Sequence, residues 1–404
     1  MFPFSNLSRT VLLFFVACGV SAFAQTAQRD YSLELIPVFE AEKLGYRLTR
    51  IPALVLSGKG TLIAFCEGRT APGDWSDIDI IARRSRDGGT TWSDMVILAK
   101  SEGGPISNAT PIVDRNGTIH VLYQKNYDRC YIVHSTDDGV TWTKPRDITA
   151  AFEAFRPEYN WKVMAPGPAH GIQLQNGRLV VGVWLCEPVG VNAPGGDHRP
   201  SCVATIYSDD HGQTWQRGDI IMRNTRKIFN PSESVVVELS DGRVMINSRS
   251  ESDAHRRLVA ISPDGARNWS EPKFDDALFE PVCMGSIFAA NDPATGQRVL
   301  LFVNPDSSHR PEETNRHGYA SRENGVIKLS YDDGQTWTHS RVIDAGPFSY
   351  SDLTVAPDGT VYCIYEAGLW GESPFHLNTH VVLARFNLEW VKNAPKPPPP
   401  AKKK

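Results

Sequence analysis

The chain has 404 residues, with 42 Lys and Arg against 46 Asp and Glu and a formal net charge of −4. So balanced a charge argues against a nucleic-acid binder. Gly (32) and Pro (28) are plentiful and long helical periodicity is absent, the composition of many short strands joined by tight turns.

In chain order, Met1–Ala24 begins with a weakly basic start (Arg9), runs through TVLLFFVACGVSAFA and ends in Ala22-Phe23-Ala24. This reads as a secretory signal with an A-x-A cleavage site, too short for a membrane span. The expectation is a protein secreted, or periplasmic or at the cell surface, after cleavage near Ala24, with a lipoprotein cysteine at Cys18 as the alternative. Residues 25–391 show no internal linker and read as one domain, its body from about Ser32 to Val391. No second stretch is apolar enough to cross a bilayer. Residues 392–404, ending in PKPPPPAKKK, read as a stiff, solvated tail.

Within the body one eight-residue pattern recurs: SRDGGTTW at Ser85–Trp92, STDDGVTW at Ser135–Trp142, SDDHGQTW at Ser208–Trp215 and SYDDGQTW at Ser330–Trp337, with a worn copy, SPDGARNW, at Ser262–Trp269. Asp-Gly steps are turn chemistry, because Gly takes positive φ freely and Asp bonds nearby backbone N–H groups. Strand-like runs precede the copies at Ile78–Ala82, Tyr131–His134, Val203–Tyr207 and Val326–Leu329. Each copy is then a hairpin corner of a small antiparallel sheet, and such sheets repeated radially make an all-β propeller. At roughly 40–60 residues per blade the length predicts six blades. The boxes themselves read as scaffold.

Six cysteines follow the leader, none with C-x-x-C spacing, and no His/Asp/Glu cluster has metal-ligand spacing; neither a metal nor a cofactor is expected. Several of the cysteines lie in apolar strand-like runs and read as small buried hydrophobes. Cys186 and Cys202, which bracket a Gly/Pro loop, are the two that could pair in an oxidising compartment.

The chain resembles the exo-α-sialidases of glycoside hydrolase family 33 over nearly all of Leu35–Leu388. The likeness rests on Arg-Ile-Pro (Arg50–Pro52), on the repeated boxes, and on ordered blocks: GDWSDIDIIARRS (Gly73–Ser85), GPAHGIQLQNGRLVV (Gly167–Val181), SESVVVELSDGRVMINSR (Ser232–Arg249), SRENGVIKLSYDDG (Ser321–Gly334) and GPFSYSDLTVAPDG (Gly346–Gly359). It implies that Arg50, Arg249 and Arg322 grip a sialic acid carboxylate, with Glu366 orienting Arg50. It also implies Tyr350 as nucleophile, Glu233 as the carboxylate that takes its proton, and an aspartate after Arg50 as acid/base. GDWSDID offers Asp74, Asp77 and Asp79; Asp79 reads as strand, Asp74 matches the family's loop position, and Asp77 is the runner-up.

The resemblance further implies a sialylated glycan substrate and a monomer. A trans-sialidase or a non-catalytic sialic-acid-binding propeller is the alternative. One departure is visible: FNPSES inserts Pro231 and Ser232 between Asn230 and Glu233, where relatives usually have Asn directly before the Glu. His170 could face the pocket or be a satisfied structural histidine, and Trp75 and Trp161 could line the sugar site or pack the core.

Overall fold

The computed structural model describes residues 32–188, 198–309, 321–369 and 377–394. The leader with Cys18, and the tail from residue 395, lie outside the described residues. Among the latter, six antiparallel sheets follow one another around a ring, the all-β six-bladed propeller expected from the turns.

The first blade comprises Leu48–Leu56, Leu62–Arg69, Ile78–Ser85 and Val96–Ala99. The second runs from Ile106–Val113 to Arg146–Asp147, and the third from Val163–Pro166 to Gln216–Arg223. The fourth runs from Ser234–Glu238 to Lys273–Phe279, and the fifth from Ser286–Asn291 to His339–Pro347. The sixth holds Ser351–Val355, Thr360–Leu369 and Leu377–Asn387, and takes its outer strand from the start of the chain, Glu34–Glu40. That strand pairs Glu34 with Arg385 and Ile36 with Leu383, so the ring is closed by backbone hydrogen bonds.

The blade pattern follows from burial. Second strands such as Leu62–Arg69 and Leu179–Cys186 are buried along their whole length, because each sheet packs a neighbour on both faces and leaves no solvent side. Outer strands such as Lys273–Phe279 are exposed or half-buried at all but one position and carry charges.

Every box is the turn between the third and fourth strands of its blade, which explains five copies on six blades. In the sixth blade that junction joins the two ends of the chain, so no turn exists there to carry a box. Within a box, Ser135 Oγ accepts Gly139 N–H at 2.8 Å and donates to Asp137 at 2.8 Å. Asp137 in turn accepts Thr141 N–H at 2.9 Å and Thr141 Oγ–H at 2.6 Å. Gly139 sits at φ 76°, where a Cβ would press on Ile63 of the first blade. The box tryptophan also reaches across: Trp142 meets Phe65 of the first blade edge-on at 5.9 Å, and Trp337 donates to Asp275 of the fourth at 3.2 Å.

The six cysteines among the described residues are all buried thiols. The pairing considered for Cys186 and Cys202 does not occur. They lie on neighbouring strands, but Cys202 stands opposite Leu185 and Cys186 opposite Ser201. That one-residue offset sends the two sulfurs to opposite faces of the sheet, Cys202 among Trp161 and its neighbours and Cys186 beside Tyr127 and Trp184.

Candidate active site

At the centre of one face of the ring, strand ends and loops from several blades enclose a cavity of about 630 Å³. Arg50, Asp74, Glu233, Arg249, Arg322 and Tyr350 all line it. Arg50 enters from the innermost strand of the first blade, where the register breaks between Arg50 and Ala53. Pro52 cannot donate to a ladder and Ile51 sits at φ 50°, so the strand bulges and re-aims the arginine. Glu233, Arg322 and Tyr350 stand one residue from strand ends, at Ser234, Glu323 and Ser351, and Arg249 directly follows Ser248.

The three arginines converge. The guanidinium carbons of Arg50 and Arg322 each lie 5.3 Å from the centroid of the Tyr350 ring, and Arg249 Nη1 donates to the Tyr350 oxygen at 2.7 Å. That oxygen donates to Glu233 Oε1 at 2.5 Å, while Glu233 Oε2 pairs with Arg249. Burial holds the Tyr350 phenol well above its usual pKa; Arg249 pulls it down and Glu233 pushes it up. The fully buried Glu366 receives Ile51 N–H at 2.7 Å and Arg50 Nε at 3.2 Å, so one carboxylate holds both the bulge and its arginine.

Of the three candidate acids, Asp74 alone lines the cavity. Asp77 accepts Gly104 N–H at 2.8 Å and Asp79 accepts Tyr46 O–H at 2.7 Å, each pinning a loop or strand. The Asp74 side chain is 43% exposed and accepts Arg69 Nη1 at 2.7 Å. Desolvation by the surrounding cavity walls pushes its carboxyl up despite that exposure, but Arg69, then Arg50 and His198, outweigh it and hold the group below the usual carboxylate range. Arg69 is itself clamped by Glu67 at 2.8 Å and 2.5 Å.

The departure at FNPSES has a structural account. Arg249 N–H donates to Glu233 O at 2.9 Å and Ser232 N–H to Arg249 O at 3.1 Å, extending the strand pairing past Ser234 and setting Glu233 beside Arg249. Asn230 turns away at φ 42° and donates to Glu251 at 3.0 Å.

His170 is not in this cavity. Its Nδ1 lies 2.7 Å from Asp352, and it lines a separate space of about 240 Å³. Trp161 is fully buried under the Arg156 guanidinium at 3.9 Å and packs the core. Trp75 is not a lining residue, but its ring lies 4.8 Å from Tyr127, which is one. Tyr127, Trp184, His198, Arg199 and Glu251 line the cavity without having stood out in the sequence. Only the Glu67–Arg69 pair left a trace, two charges two residues apart inside the buried run LIAFCEGR.

The BNR repeat-like domain family matches residues 50–363. The chain belongs to that family. A sialidase of Micromonospora viridifaciens is 36% identical over 378 residues, which cover 86% of this chain and 52% of that protein. Sialidase-2 of Mus musculus is 29% identical, covering 85% of this chain and 96% of its own length. The solved structure of Hadza microbial sialidase Hz136 superposes with a TM-score of 0.71 at 26% identity, over 88% of this chain and 68% of that one. This BNR-repeat propeller thus spans about half the length of the Micromonospora relative and nearly all of the mouse one.

Proposed function

We propose that this protein is an exo-α-sialidase, a glycoside hydrolase that removes terminal sialic acids from glycoproteins, glycolipids or oligosaccharides with retention of configuration. The observation that carries it is the buried Tyr350–Glu233 hydrogen bond set among three arginines, with Asp74 on the same cavity. The arginines take the sugar carboxylate, which planar guanidinium forks match bidentately and without titrating.

That carboxylate sits on the anomeric carbon, so an anionic nucleophile would approach against like charge, whereas a neutral phenol does not. Tyr350 attacks, its O–H proton passes to Glu233, and Arg249 steadies the charge that develops on the oxygen. The C–O bond to the leaving group breaks as Asp74 gives that oxygen a proton. In the free site Arg69 and Arg50 hold Asp74 ionised. A bound substrate carboxylate offsets Arg50 and the sugar excludes water, both raising the acid toward its working range. Water then attacks the tyrosyl-glycoside with Asp74 as base, and Glu233 returns its proton to Tyr350. Two inversions give overall retention.

A propeller that only binds sialic acid has use for the arginines but none for the Tyr350–Glu233 contact. Incubation with sialyllactose isomers, with the first product read by NMR and mass, tests the proposal. Free α-sialic acid supports it; a sialylated acceptor or an anhydro sugar moves the activity to transfer, and intact substrate leaves a binding protein.

A further inference from the structure

Two of the three arginines lean on backbone that their residue types resist. Ile51, beside Arg50, sits at φ 50°, and Val282, whose carbonyl accepts Arg322 Nη2 at 2.7 Å, sits at φ 61°. Left-handed backbone is costly for a β-branched side chain and persists only where the surroundings impose it. At Ile51 the imposing group is Glu366, which takes that N–H and the arginine together.

At Val282 the counterpart is Glu280. Its Oε1 accepts Cys283 N–H at 2.8 Å and its Oε2 accepts Arg257 Nη1 at 2.5 Å. Arg257 Nη1 also donates to Cys283 O at 3.0 Å, and its Nε to Asn247 Oδ1 at 2.7 Å. The turn is therefore tied at both the N–H and the C=O of Cys283, which leaves the Val282 carbonyl one direction to point. Both charged groups are fully buried and neither lines the cavity. A buried ion pair adds little net stability over apolar side chains of similar volume, so stability alone does not account for it.

We propose that the Arg257–Glu280 pair is a positioning device for substrate binding: it fixes the Val282 carbonyl and, through it, the Arg322 guanidinium against the carboxylate of the bound sugar. This rests on the sialidase function proposed above. Because the guanidinium is planar, holding one terminal nitrogen orients the whole fork.

The test is Glu280→Leu/Arg257→Met, which removes both charges together and so strands neither. The variant should melt below the wild-type temperature, because the Cys283 N–H and Asn247 Oδ1 lose their buried partners. Its KM for sialyllactose and the inhibition constant of free sialic acid should both rise about tenfold, the size of one misplaced charged hydrogen bond, with kcat within about threefold. In an Arg322→Ala background the same changes should add nothing, because the effect runs through that arginine. Glu280→Asp keeps the buried charge pair but draws the acceptor back from Cys283 and should raise KM only about threefold, which makes it the deciding variant if the double one does not fold. Unchanged KM in a folded variant, or an equal loss in the Arg322→Ala background, overturns the proposal. Wild-type protein that neither binds nor cleaves any sialoside removes the sialidase function itself.

Discussion

The Tyr350 hydroxyl donates to Glu233 Oε1 at 2.5 Å, joining residues 117 positions apart on the sixth and fourth blades. If this pair is nucleophile and proton acceptor, a fluorinated sialic acid that slows the second step should trap a mass adduct on the Tyr350 peptide. Tyr350→Phe should abolish the adduct and lower kcat on the order of a thousandfold or more, while binding of free sialic acid by the arginines stays largely intact. Glu233→Gln should slow adduct formation without moving it. A β-anomer as first product in an NMR time course would exclude double displacement.

Asp74→Asn should lose on the order of 10²–10⁴-fold on natural glycans, the range of a missing general acid. Aryl sialosides with good leaving groups need little protonation and should retain far more activity. Equal losses on both kinds of substrate would remove the acid role from Asp74.

His120 lies buried between the second and third blades with Asp114, His134, His211 and Arg146 around it, and its pKa is pushed down to about 4, chiefly by burial. The folded state therefore resists a proton that the unfolded chain accepts near its ordinary value. The stability this confers is fully present above about pH 6.5 and is lost as pH falls toward 4. The loss should reach ~3 kcal/mol by pH 4, the worth of such a shift at 1.36 kcal/mol per unit. Urea melts from pH 7.5 to 4 should show it, and His120→Phe should flatten that part of the profile; an unchanged slope would mean that another group titrates.

Ser135→Ala tests a box as scaffold. It strands the buried Gly139 N–H and frees Asp137, for an expected cost of about 1–3 kcal/mol. Sialidase kinetics of the protein that remains folded should be unchanged. A change in KM would connect the box to the site.

Local chemistry was legible in the chain itself. A box closes its hydrogen bonds within four residues, as from Ser135 to Gly139 and from Asp137 to Thr141, so the letters alone specify the turn, and the recurrence of the turn specifies a ring of small sheets. The Arg-Ile-Pro and Tyr-Ser-Asp blocks pointed to site residues only through their resemblance to the same blocks in sialidases. What the tertiary structure decided are contacts that no local pattern encodes. Glu366 holds Arg50 across 316 positions and Asp352 takes His170 away from the cavity across 182. Asp74 and Asp77 lie three residues apart in one loop, yet Asp77 accepts Gly104 N–H while Asp74 lines the cavity. The Cys186–Cys202 thiols stay apart because of a strand register that their loop does not reveal. Closing the ring brings distant strand ends to one axis, and the sequence separation of those ends carries no record of how near they lie.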